Sequence, residues 1–598
     1  MGIEEDSKGS LRLPYLVLIL LVLLVFANSF QNSFVWDDYF MIVNNSRINL
    51  PAKEILSIFI KPLMGNAGYI EYVQTYYRPV LSLYLILNYK IWGMNPVGFH
   101  LVNLLLYIIT VIVLYKISLI LFSSYENKNV ISLIGVSIFA VHPVNSEMAG
   151  RAASGEILLG FFIISSLYFF LRANKYLSLL AFALALLSKE AAVMFPFALV
   201  ILTTEKEGFK KGVITILPYM IFIGGYLFLR VVVLDIVFGD NMVQPISTRI
   251  FTMLAATLDY VKLLIIPYPL SPHYPEKWHM SMIEPKVMIA IVVLILICIL
   301  AFKMRKDKKI LFLLLFPLIM LVPVIWKVNT FPTGTEQSSI ASRFLYVSLM
   351  PFSLFASVSA MRLAGNRARV HIVATAGVVI IGIFAVITAR SNVIWKNEIN
   401  LFQKIVRDAP DIASAHNNMG VAYYRQGQMD KAIKEYLIAL KLNPNDPNVY
   451  NNLGHVLEVQ DRLDEAIGEF KAALRLKPDF TGAHFNLGVV YFKQNRLNEA
   501  INEYLSALKI KPDYIEARNN LGFSYCLAGN YDGAYREFQK VVEMDPKFPN
   551  AYYGLGLVYK KQGKLENARN YFEVSLKLAP NGPLAGEAKK ELRELYNR

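Results

Sequence analysis

The chain has 598 residues, room for three or four domains of ~150 residues each. Hydrophobic residues make up 55% and the mean hydropathy is +0.41, which excludes an ordinary soluble enzyme. Of the formal net charge of +15, most lies in residues 1–390, with 32 Lys and Arg against 20 Asp and Glu, in short connections between apolar runs; such an excess reports membrane topology and not a nucleic-acid partner.

The first apolar run, Pro14 to Phe30, follows Lys8 and Arg12. Glu4, Glu5 and Asp6 share that leading segment and many apolar runs follow, so it reads as an uncleaved anchor and not a signal peptide. Further spans are predicted near 98–122, 131–148, 155–171, 176–188, 191–203, 212–235, 284–302, 310–327, 343–361 and 370–389, about eleven crossings in all. The most basic short connections are Lys206–Lys211, Lys303–Lys309 and Arg362–Arg369. Placing them in the cytoplasm puts the N-terminus inside and the C-terminal part outside. Two more apolar stretches, 79–92 and 250–267, break this parity and are read as helices in outer-face loops, or re-entrant. Cys298 and Cys526 form no disulfide framework, and no Cys/His cluster suggests structural zinc.

Ionisable residues gather at the predicted outer ends of the spans. The loop FVWDDYFMIVNN places Asp37 and Asp38 there, either as a solvated turn or as a general base and its partner. Arg78 and His100 follow in residues 76–103, His142, Glu147 and Arg151 in FAVHPVNSEMAGR, Lys189 and Glu190 in LLSKEAAV, and Arg343 in SSIASRFLY. Each either snorkels or pairs, or serves function, the default reading for charges at a membrane. Together, carboxylates and cations on one side suit a phosphorylated lipid donor and a hydroxyl acceptor.

From residue 411 the sequence repeats. Gly420, Gly454, Gly488, Gly522 and Gly556 are 34 residues apart, as are Ala432 to Ala568 and Pro444 to Pro580 in their own columns. This is the tetratricopeptide period: small residues let paired helices approach, and Pro ends each second helix. Asn418, Asn452, Asn486 and Asn520 stand two residues before four of the glycines. They fit the repeat consensus, or form a carboxamide ladder that holds a peptide backbone.

The blocks WDDYFMIVNN, YRPVLSLYLILNY, GMNPVGFHLVNLLLY, FAVHPVNSEMAGRA, LALLSKEAAV and SRFLYVSL, followed by the repeats, resemble the transmembrane and tetratricopeptide-repeat O-mannosyltransferases of the GT-C fold. The resemblance implies an all-α chain: a multi-span glycosyltransferase domain over 1–390, a linker helix over 391–410, five repeats over 411–583 and a capping helix over 584–598. It implies a polyprenyl-phosphate-linked sugar, mannose or a relative, as donor, and Ser/Thr hydroxyls of a polypeptide held by the repeats as acceptor, at the extracytoplasmic surface. On that reading Asp37 is the general base, and Asp38 assists it, orients the acceptor, or binds a divalent cation if one is used. Lys189, Arg343 and Arg78 then neutralise the leaving phosphate, while His142, Glu147, Glu190 and His100 line the cavity. A single displacement inverts the anomeric carbon. Two alternatives stay open: the same chemistry on a lipid-linked or envelope glycan, and a non-enzymatic membrane-anchored scaffold.

Overall fold

The computed structural model describes residues 12–60, 77–233, 245–327, 337–365 and 367–596. Glu4 to Lys8, on which the choice between anchor and signal peptide rests, lie outside them. The chain divides into two compact units, Met1–Pro410 and Asp411–Arg598.

The first unit holds helices α1 (Arg12–Phe26), α2 (Pro79–Trp92), α3 (Pro96–Leu121), α4 (Lys128–Val141), α5 (Ser146–Gly150), α6 (Gly155–Leu171) and α7 (Lys175–Ser188). It continues with α8 (Phe195–Phe228), two helices that meet at a kink at Gly208 where φ is +73°, and then α9 (Ile246–Ile265), α10 (Pro285–Lys303), α11 (Lys308–Lys327), α12 (Tyr346–Ala364), α13 (Arg367–Ser391) and α14 (Glu398–Asp408). Each of the eleven predicted spans overlaps helix among the described residues. Among the described residues seven helices are long and apolar enough to cross a membrane, and the bent pair Lys128–Val141 and Pro143–Gly150 makes an eighth if it is one span. The remaining three predicted spans fall on shorter apolar helices, Gly155–Leu171, Lys175–Ser188 and Glu190–Thr204. The chain is therefore a multi-pass membrane protein, and the stretches 79–92 and 250–265 are helical too.

Local chemistry sets the boundaries. Pro96 opens α3 while the Asn95 carboxamide accepts from the Val97 amide at 3.1 Å, a satisfied N-cap. The Asn174 side chain caps α7 through Leu177 N at 3.1 Å. Pro143 ends α4, and the chain bends by 44° into the next short helices. Under that bend the rings of Tyr107, Phe139 and Tyr346 lie 5.7–6.1 Å apart. Asn145 Nδ2 donates to Tyr107 Oη at 2.9 Å and to the Phe139 carbonyl at 2.6 Å, tying the bend to this core.

One element escaped the sequence reading. Strands β1 (Tyr274–Lys277) and β2 (Gln337–Ile340) form an antiparallel ribbon in which Tyr274 faces Ile340. Each strand has only four residues, too few for an alternation to register. The ribbon matters because β2 runs directly into Arg343.

Charged groups segregate to the two ends of the helices. At one end Arg362, in the last turn of α12, donates to Tyr125 Oη and to Asp307, joining three interhelical connections. Arg343 precedes the other end of the same helix, about 28 Å away along a 19-residue helix. There the segments next to the first and last spans meet. Asn28 Nδ2 donates to the Ala389 carbonyl at 2.8 Å, Asn392 Nδ2 to the Val25 carbonyl at 3.0 Å, and the Ser33 amide to the Lys396 carbonyl at 3.0 Å.

The second unit stacks five helix pairs: α15 (Ala413–Arg425) with α16 (Met429–Leu442), α17 (Pro447–Val459) with α18 (Leu463–Leu476), α19 (Thr481–Lys493) with α20 (Leu497–Ile510), α21 (Ile515–Leu527) with α22 (Tyr531–Met544), and α23 (Pro549–Lys561) with α24 (Leu565–Leu578). A last helix, α25 (Ala585–Tyr596), buries Ala588, Leu592 and Leu595 against Tyr553 and Phe572. The glycine column has a visible cause. A Cβ on Gly420, Gly454, Gly488, Gly522 or Gly556 would come within 2.5–2.8 Å of the ring of Tyr436, Phe470, Tyr504, Phe538 or Phe572. Those five buried rings form their own 34-residue column, so each pair closes by an aromatic side chain packed against a glycine.

Candidate functional site

The Asp37–Asp38 dipeptide follows Trp36, whose φ of +52° is rare for a bulky residue. This turn sends the two carboxylates to different places. Asp38 is fully buried. Its Oδ2 accepts the amides of Val35 and Ala152, each at 3.1 Å, and its Oδ1 accepts that of Ala153 at 2.8 Å. Burial pushes its pKa up to about 6, against the pull of Arg151 and the three amides. With both oxygens engaged, Asp38 staples the acidic loop to the segment after α5 and does not face an acceptor. The staple brings Arg151 beside Asp37, where its Nη2 donates to Asp37 Oδ2 at 2.5 Å.

From Asp37 the charges alternate. Arg151 lies 3.9 Å from Glu147 Oε1, which accepts from Arg343 Nη1 at 2.8 Å. The other oxygen of Glu147 accepts the Arg343 amide at 2.9 Å and Ser342 Oγ at 2.7 Å. Arg343 Nε stands 3.7 Å from Glu156 Oε1, to which Lys189 Nζ donates. One residue further on, Glu190 receives Arg78 in a two-pronged bond of 2.9 and 3.1 Å. Burial of so many charges is tolerable only because each meets an opposite one. Within this network Asp37 is the reachable acid, with a side chain 42% exposed against 1% for Glu147 and 8% for Glu156.

Aromatic rings border the charges. The Arg343 guanidinium lies 5.8 Å from the Trp36 ring and 5.0 Å from that of Phe344, and Lys189 Nζ 4.9 Å from Phe344. Trp36 in turn touches Phe402 of α14, with ring centroids 6.0 Å apart. His273, just before β1, is kept neutral: burial first, and then the Arg343 charge, pull its imidazole down to about 4.

The structure thus brings together Asp37, Arg78, Glu147, Lys189, Glu190 and Arg343 of the residues expected from sequence. It leaves two apart. His142 is buried, its Nε2 3.3 Å from the Leu264 carbonyl and its Nδ1 accepting the Val144 amide at 3.4 Å, so it supports the α4–α5 bend. His100 is buried beside a cavity of about 10 Å³ shared with Ser29, Asn103 and Asn145, a space of one water molecule. Glu156 went unnoticed in the sequence; the signal was a lone carboxylate opening the apolar run GEILLGFF five residues after Arg151. Among the described residues no three His, Cys, Asp or Glu side chains converge as metal ligands, and Asp37 and Asp38 face a guanidinium and backbone amides. These two carboxylates do not fit a divalent cation.

In the repeat unit the asparagines engage each other across neighbouring pairs. Asn452 Nδ2 donates to Asn417 and Asn486 Nδ2 to Asn451, each at 3.0 Å. Asn418, Asn452, Asn486 and Asn520 are all half-buried, with part of each amide left for a ligand.

Family comparisons agree with this division. A model described as TPR repeat matches residues 422–461, 459–495, 490–527 and 524–563, and one described as Tetratricopeptide repeat matches 549–581. A protein O-mannosyl-transferase of Caenorhabditis elegans is 25% identical over 467 residues, 74% of this chain and 64% of that protein. The human protein O-mannosyl-transferase TMTC1 is 24% identical over 498 residues, 70% of this chain and 54% of that protein. The chain therefore spans between half and two thirds of the length of these relatives. Among solved structures, the tetratricopeptide-repeat protein YrrB is 26% identical over 32% of this chain and 97% of its own, with a TM-score of 0.28. The curated relatives bear out the resemblance read from the sequence.

Proposed function

We propose that this chain, a relative of the transmembrane and tetratricopeptide-repeat O-mannosyltransferases, transfers mannose from a polyprenyl-phosphate donor to Ser/Thr hydroxyls of a polypeptide. The observation that carries the reading is one half-exposed carboxylate, Asp37, at the open end of a buried relay of cations. Asp37 takes the proton of the acceptor hydroxyl as its oxygen attacks the anomeric carbon. The bond from that carbon to the phosphate oxygen breaks, and its electron pair passes to a phosphate neutralised by Lys189, Arg343 and Arg78. Attack opposite the leaving group inverts the anomeric centre. Arg151 holds Asp37 in the orientation its carboxylate needs, and Asp38 holds Arg151.

The positive-inside pattern supports an extracytoplasmic site, since Arg362 and Asp307, from two of the basic connections, lie at the helix ends opposite Asp37. The repeats serve as the acceptor's dock, their asparagines bonding to peptide backbone, which raises its local concentration at the site.

The test uses purified protein in detergent with radiolabelled polyprenyl-phosphate mannose and a Ser/Thr-rich unfolded peptide. Label on the peptide, lost in a folded Asp37→Asn variant, is the expected result. Retained transfer in that variant removes Asp37 as base. Donor use that requires added envelope lipid moves the acceptor to glycan, and no donor use at all leaves a scaffold.

A further inference from the structure

Two of the three cations assigned to the donor phosphate are already bridged by one carboxylate. Glu156, in the first turn of α6, accepts from Lys189 Nζ through the same oxygen that lies 3.7 Å from Arg343 Nε. The partners of the neighbouring cations differ. Arg78 is gripped by both oxygens of Glu190, and Arg343 by Glu147 through its side chain and its own amide. For Lys189, Glu156 is the hydrogen-bond acceptor among the described residues, while Arg78, Glu190 and Arg151 act on this pair through space. Phe344 closes the apolar side, 4.9 Å from Lys189 Nζ and 5.0 Å from the Arg343 guanidinium carbon.

A phosphate oxygen and a carboxylate oxygen ask the same of a lysine and an arginine: charge, and one or two donated hydrogens. We propose that Glu156 is a positioning residue that occupies the phosphate subsite between turnovers. Its carboxylate keeps Lys189 and Arg343 at a spacing ready for an anion, yields them to the donor phosphate, and reclaims them as the polyprenyl phosphate departs. This rests on the reading above of Lys189 and Arg343 as phosphate ligands. Its consequence concerns product release. A fixed negative charge beside the phosphate weakens the hold of the site on the spent lipid, so the cations can be strong enough for catalysis without trapping product.

The experiment measures binding of farnesyl phosphate and of inorganic phosphate to the full-length protein in detergent by titration calorimetry, beside steady-state transfer. Glu156→Gln keeps the shape and removes the charge. It is expected to tighten farnesyl phosphate about tenfold and to lower kcat and the peptide KM together, leaving kcat/KM unchanged. Glu156→Asp, one methylene shorter, tightens it less and keeps more of kcat. A purely structural role predicts weaker phosphate binding in both variants, and that result, or an unchanged affinity, overturns the proposal. If Glu156→Gln does not fold, an unchanged or weaker affinity in Glu156→Asp overturns it equally. Wild-type protein that neither binds farnesyl phosphate nor transfers mannose refutes the proposed function itself. Wild-type protein that does both, with no tightening in the variants, refutes only the role of Glu156. Tightening of inorganic phosphate in parallel places the effect at the phosphate, and tightening of the lipid alone moves it to the prenyl chain and overturns the proposal.

Discussion

Replacing Asp38 by alanine separates the two aspartates of the acidic loop more sharply than any other change. The substitution strands three buried amides, those of Val35, Ala152 and Ala153, now bonded at 2.8–3.1 Å. An orphaned buried donor costs about 1–3 kcal/mol. Some relaxation is to be expected, so the loss is about 3–6 kcal/mol, a large part of the 5–15 kcal/mol typical of a folded domain. Asp38→Asn keeps one oxygen for Val35 and Ala152 but turns an amide group toward Ala153, and should cost about half as much. Thermal unfolding in detergent, followed by tryptophan fluorescence, reads this directly. Transfer activity should fall with it, because Arg151 is no longer carried to Asp37. Asp37→Asn, on a side chain 42% exposed, should instead leave the unfolding temperature within a degree or two. An Asp38→Ala protein with wild-type melting and wild-type transfer would refute the division of labour between the two residues.

Three other outcomes follow from the packing and the charges. Phe470→Ala removes the ring that covers Gly454 and should destabilise the repeat unit by about 3–5 kcal/mol, checked by loss of helical circular dichroism on heating. His484 is half-buried; burial opposes its charge, but the bonds to Glu503 at 2.6 Å and to the Pro478 carbonyl at 2.9 Å outweigh it and raise its pKa. Its stabilising contribution is then complete below the ordinary histidine value of about 6.5 and lost as pH rises through the raised one. The repeat unit should melt at lower temperature at pH 8.5 than at pH 6, and less so in His484→Gln; equal slopes for both proteins would contradict this. Finally, in a chain lacking Cys298 and Cys526, an impermeant maleimide should reach Ser33→Cys and Arg362→Cys from opposite sides of sealed vesicles. Labelling from the same side would overturn the topology.

The helices were legible because apolar runs of membrane length and a 34-residue period are statements about whole segments, insensitive to any one contact. The glycine column was visible too, although its partner, the column from Tyr436 to Phe572, emerged only once the rings were seen lying on the glycines. The site was half legible. Asp37, Arg78, Glu147, Lys189, Glu190 and Arg343 stood out because ionisable groups beside apolar runs are costly. What sequence did not reveal was pairing: that Arg343 turns to Glu147 and Lys189 to Glu156 depends on partners 196 and 33 residues apart. Nor did it separate Asp37 from Asp38, because their difference lies in the left-handed turn at Trp36 and in amides more than a hundred residues away. His142 is a related case, since a buried imidazole that supports a bend looks in sequence like one that lines a cavity.

The bonds between Asn28 and Ala389, Asn392 and Val25, and Ser33 and Lys396 join positions 361 to 367 residues apart. In biosynthetic terms, the stretch carrying Asp37 emerges from the ribosome among the first, and the stretch that clasps it among the last of the membrane unit. Trp395, against which Gly150 fits so closely that a Cβ there would lie 2.3 Å from its ring, is made later still than the segments bearing Arg151, Lys189 and Arg343. The ion pairs of Asp37 with Arg151, Lys189 with Glu156 and Arg343 with Glu147 need nothing made after residue 343, whereas long-range closures of this kind form late. Until the final span is inserted, the segment leading to Asp37 lacks the bonds that tie it to Ala389, Asn392 and Lys396, and a chain truncated before residue 390 should keep its ion pairs but hold the acidic loop loosely.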